Sequence, residues 1–78
     1  MTEFANVRVG DVVTVMRQNV PIEILTVDRL SITQIFLRGS DVAFLRYDGI
    51  ASGWYLGARP YLERTTDAHR QALGVERV

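Results

Sequence analysis

Seven residues between positions 46 and 64 carry the groups best suited to molecular recognition: Arg46, Tyr47, Trp54, Tyr55, Arg59, Tyr61 and Arg64. Trp, Tyr and Arg dominate binding hot spots because they join a large apolar area to a polar handle. Together they suit a surface that grips a protein partner, with guanidinium groups at its rim. They also suit nucleic acid, with Arg46, Arg59 and Arg64 on phosphates and Tyr55 or Trp54 stacked on a base. Strand alternation places Arg46 and Tyr47 on opposite faces, so the seven do not all share one surface. The competing structural reading puts Trp54 and one or two of the tyrosines in the core.

Other chemistries have less material. The chain contains one histidine, His69, and no cysteine, which removes Cys-based zinc sites and disulfides. His69 is expected as a solvated residue of a tail helix, with no carboxylate fixed beside it. Ser31, Ser40 and Ser52 fall in turns or on strand faces, and a nucleophilic triad would need His69 and an acidic orienter beside one of them. Asp11, Asp28, Asp41 and Asp48 all fall at expected turns, where Asp bonds nearby backbone N–H groups. No phosphate loop or metal-spaced cluster is present. The expectation is a non-enzymatic protein with no cofactor, no metal and no catalytic residue. An oligomeric enzyme, borrowing Tyr or Gln side chains from several copies around a shared pore, is a third reading.

The charge balance narrows the partners. Nine Arg, with no Lys, meet nine Asp plus Glu, so the net charge is zero. A protein that relies on unspecific phosphate attraction normally carries net positive charge, so a protein partner is favoured over nucleic acid. Arg in place of Lys suits interfaces, and it is also what a GC-rich genome encodes. Apolar residues form 47% of the 78 residues. So small a domain cannot hide all of them, so a residual apolar patch and self-association are expected. No run approaches the ~20 apolar residues that span a bilayer. The first residues lack the pattern of a signal peptide, which points to the cytoplasm and away from a membrane.

The elements that must position these side chains are short strands. Val12 to Met16 is a β-branched run after the Gly10-Asp11 turn. Gln18-Asn19-Val20-Pro21 breaks it, and a central strand is not expected to run through Pro21. Further strands are expected over Ile22–Val27, Ile32–Arg38, Val42–Tyr47 and Trp54–Leu56. Asp28-Arg29-Leu30-Ser31, Gly39-Ser40-Asp41 and Asp48-Gly49 are the expected connections. Arg59–Glu63 reads as a 3₁₀ turn or a last short strand. Thr66 is placed to cap a helix that starts at Asp67 and stops at Gly74. The fold class is mainly β: a five-stranded barrel over residues 1–64, with a short C-terminal helix or tail over 65–78.

Val9-Gly10-Asp11-Val12-Val13, Pro21-Ile22-Glu23-Ile24-Leu25, and Phe44 to Gly49 followed by Gly53-Trp54-Tyr55 resemble the elements of an SH3-like barrel. The likeness is to KOW, Tudor and YodC-like proteins, and it covers about residues 7–64. It implies a fold and a habit of binding, but no chemistry, because one fold hosts many functions. Plasmid-borne SH3-like reductases have a similar length, but their Val-Gln-Ile-Tyr segment has no counterpart in Thr33-Gln34-Ile35-Phe36 or Gly53-Trp54-Tyr55. The short, Lys-free, motif-free profile is similar in style to phage or mobile-element accessory proteins, some of which modulate a host protein.

Overall fold

The structure, a computed structural model, describes residues 4–53 and 56–74. Five antiparallel strands form one curled half-barrel: β1 (Val12–Arg17), β2 (Val20–Leu30), β3 (Gln34–Leu37), β4 (Ala43–Leu45) and β5 (Tyr61–Arg64). Their order is β4-β3-β2-β1-β5. One helix, α1 (Asp67–Leu73), follows. The mainly β, five-stranded architecture with a short C-terminal helix is therefore the one expected.

Strand boundaries depart from expectation, and three of the departures have a local cause. The β1–β2 hairpin turns on Gln18 and Asn19, both left-handed at φ 51° and 65°. A two-residue turn with both φ positive matches the twist of the strands it joins. β2 then runs straight through Pro21, contrary to expectation. Met16 pairs with Pro21 while Val15 pairs with Glu23, so Ile22 is an extra residue at a bulge. The bulge releases the ladder where proline has no N–H to give.

Asp28 is not in a connection but within β2. The pairing steps from Val27↔Leu37 to Arg29↔Phe36, which makes Asp28 the extra residue of a second bulge. The expected strand start at Ile32 is instead a turn. Ser31 Oγ accepts from the backbone N–H of Gln34 at 2.9 Å and of Thr33 at 3.3 Å, and a seryl side chain that bonds the backbone in this way competes with strand pairing. Finally, β5 is Tyr61–Arg64, the second of the two readings of that stretch. Of the strand expected at Trp54–Leu56, Trp54 and Tyr55 lie outside the described residues, and Leu56 sits in an exposed bend.

The sheet's two ends are joined by residues 49–52. On one side Leu45 N donates to Ile50 O and Ser52 N to Ala43 O, both at 2.9 Å. On the other, Ala51 N donates to Pro60 O at 2.9 Å and Leu62 N to Gly49 O at 2.7 Å. This short stretch thus covers the free backbone groups that β4 and β5 would otherwise expose.

The core fills the concave side. Phe4, Val13, Val27, Ile35, Leu37, Phe44, Ala51 and Leu62 are all buried there. Val13 and Val15 face inward, so alternation turns Thr14 to the other face. Thr14 is nonetheless fully buried, with its hydroxyl donating to Thr65 Oγ1 at 3.0 Å. α1 packs against β2. A seven-residue helix is marginal in water and depends on such docking. Thr66 is its N-cap and left-handed Gly74 its C-cap, both where the sequence placed them.

Candidate functional site

Arg46 is the organising residue at one end of the half-barrel. It follows β4 directly, and its backbone stays paired, since Arg46 N donates to Thr33 O at 2.9 Å and Arg46 O accepts from Phe4 N at 3.2 Å. Its guanidinium forks to two more backbone segments. Nη1 donates to Ser31 O and Nη2 to Ala5 O, each at 2.9 Å. The planar fork suits two carbonyls held at a fixed separation, which an ammonium group does not match. One side chain therefore ties the lead-in, the β2–β3 turn and the β4 exit together.

Two apolar side chains stand in solvent beside this tie. Ile32, at the tip of the turn held by Ser31, is 94% exposed, and Tyr47 is 67% exposed. With Thr33, Leu45 and Arg46 they line a groove of about 340 Å³. Arg46 and Tyr47 share this groove, contrary to the opposite faces expected. β4 ends at Leu45, so strand alternation no longer governs them. Asp48 Oδ1 accepts from Ile50 N at 2.9 Å and holds the turn that carries Tyr47.

The other expected site residues are dispersed. Arg59 Nη1 donates to Ala51 O at 2.8 Å and also to Gly53 O. Tyr61 donates its hydroxyl to Asn19 Oδ1 at 3.0 Å and accepts from Asn19 N at 3.2 Å, which pins the β1–β2 turn. The Arg64 guanidinium lies over the Phe4 ring, 5.8 Å from its centre. Trp54 and Tyr55 lie outside the described residues. Phe4 and Phe44 are the fully buried aromatics of the described core, whereas Tyr47 is outside it and Tyr61 is half-buried.

Sequence reasoning missed Ile32, Thr33 and Leu45, which read as ordinary strand residues. The available signal was Ser31, whose side chain can form a turn with the residues after it.

His69 is also corrected. Its side chain is only 11% exposed, and Nε2 lies 3.1 Å from Glu63 Oε1. Its Nδ1 accepts from Thr66 N, while Thr66 Oγ1 accepts from His69 N, both at 3.2 Å. This is a capping box in which imidazole stands where Glu or Gln usually does. The ring therefore presents an Nε2–H to Glu63 and a bare Nδ1 to the backbone. It serves as a clasp between helix and barrel.

Among the described residues no group of three or more His, Cys, Asp or Glu is placed to hold a metal ion. No helix among them is long and apolar enough to cross a membrane. Compared with known proteins, the chain matches no family model, no curated protein and no solved structure.

Proposed function

We propose that this chain is a non-enzymatic binding module that docks a protein partner on the groove beside Ile32 and Tyr47. The observation that carries the reading is the pairing of exposure with rigidity. Two large apolar side chains stand in water on turns that Ser31, Asp48 and Arg46 hold in place. Leaving such groups in water forgoes about 1.5–3 kcal/mol each relative to burial. Holding them on rigid turns lowers the entropy lost on binding. Arg46 gives the rim its positive charge. This reading keeps the Arg-rimmed, aromatic character expected from the sequence and centres the proposed face on Tyr47. The SH3-like resemblance agrees with it, because loops at one end of such a barrel are where its binding habit lies. A modulator of a host protein encoded on a phage or mobile element is the biological setting this reading suits.

A nucleic-acid partner has less support. Two of its three phosphate-binding candidates, Arg46 and Arg59, already donate to backbone carbonyls.

A photo-crosslinking residue at position 47 tests the proposal in the native host. A discrete protein adduct is expected from it, and Ile32→Ser should abolish that adduct while leaving the circular dichroism spectrum unchanged. An adduct with nucleic acid, or an adduct pattern indifferent to Ile32→Ser, would overturn the reading.

A further inference from the structure

Arg17 and Glu23 stand at the rim of a second cleft of about 240 Å³, floored by Val15, Phe44 and Pro60. It shares no lining residue with the groove beside Ile32. Both charged side chains are exposed. Among the described residues the ion pairs join Arg38 to Asp28 and His69 to Glu63, so neither Arg17 nor Glu23 forms an ion pair with another described residue. Ile22 also lines the cleft, and Val20 is paired with Arg17 across the hairpin; both are exposed hydrophobics. The hairpin that carries them is held by the two hydrogen bonds between Tyr61 and Asn19.

We propose that this face binds a second copy of the chain about a two-fold axis, with Arg17 of each copy meeting Glu23 of the other. A two-fold interface must be self-complementary: if one residue meets a second across it, the second meets the first. One cation and one anion, neither ion-paired among the described residues, beside exposed Val20 and Ile22 satisfy that condition with a single patch. A partner surface of one charge sign would satisfy either Arg17 or Glu23 and repel the other. Zero net charge on the chain adds no long-range repulsion between copies.

Sedimentation equilibrium of the full chain, from micromolar to millimolar, is the test. A monomer–dimer equilibrium is expected. Arg17→Glu and Glu23→Arg should each raise its Kd by about tenfold or more, since each sets like charges together. The double variant R17E/E23R should return it to within about threefold of the parent, because the pair is then reversed but intact. Ile32→Ser should leave the dimer unchanged, which separates this proposal from the partner-binding groove. Both sites are exposed, and Arg17→Gln and Glu23→Gln provide milder variants that should each weaken the dimer. A chain that stays monomeric throughout would overturn the proposal. So would a dimer insensitive to the single reversals, or one that the double variant fails to restore.

Discussion

The Arg46 end of the half-barrel and the tail helix are both fastened by polar side chains, yet they are fastened across very different sequence distances. Arg46 reaches Ser31 and Ala5, 15 and 41 residues away. The caps of α1 join Thr66 to His69 and Gly74 to Gln71 and Arg70, all within four residues. Its clasp, Glu63 to His69, spans six. Long-range bonds hold separate segments in one geometry, so they can preorganise a surface. Short-range bonds mainly decide whether the helix forms. A candidate binding face belongs at the first kind of fastening.

The sharpest way to break this contrast is Gly49→Ala, within the turn at the Arg46 end. Gly49 has φ 76°, and a Cβ there would run into Phe4 Cε2 and crowd Leu62 O. Phe4 is almost fully buried and cannot give way cheaply. The variant should lose about 3 kcal/mol or more in urea unfolding, of the size reserved for strain combined with overpacking.

Arg46→Ala comes next, with an expected loss of about 1–2 kcal/mol, since its two charge-assisted bonds are partly open to solvent. Amide exchange should rise together in residues 4–6, 31–33 and 46–48. Exchange confined to residues 46–48 would show that Arg46 does not couple the three segments. Arg46→Lys should recover little of the loss, because lysine lacks the fork.

At the helix, Thr66→Ala should cost about 1 kcal/mol. The change should appear as faster exchange in α1 alone, with the loops at the Arg46 end untouched. Faster exchange in those loops would erase the distinction between the two regions. The smallest effect on stability belongs to Tyr47→Ser, within about 0.5 kcal/mol, because the ring is mostly exposed. The same change should abolish docking of a protein partner. Loss of folding with loss of docking would assign Tyr47 to the scaffold instead of the face.

The helix was legible in the sequence residue by residue: Thr66 before it, Asp67 at its start and Gly74 after it. The turns at Gln18-Asn19 and Asp48-Gly49 were legible for the same reason. The passage of β2 through Pro21 was not, because a bulge that leaves proline's missing donor unneeded depends on where β1 lies. Nor was the fate of Ile32, where the propensity of a β-branched residue for a strand yielded to a hydrogen-bonded turn built by Ser31. The candidate site was half legible: Arg46 and Tyr47 stood out by type, but Ile32 and Leu45 joined them only through contact.

The sequence by itself determined the mainly β class, the turns at Gln18-Asn19 and Asp48-Gly49 and the helix caps, because those are set by bonds and dihedral preferences that act within about four residues. Tertiary structure alone decided which arginines are spent on backbone carbonyls, how His69 is held, and which apolar side chains remain in water. Those outcomes depend on groups 6 to 42 residues apart meeting at about 3 Å, a distance that only the closed path of the sheet sets.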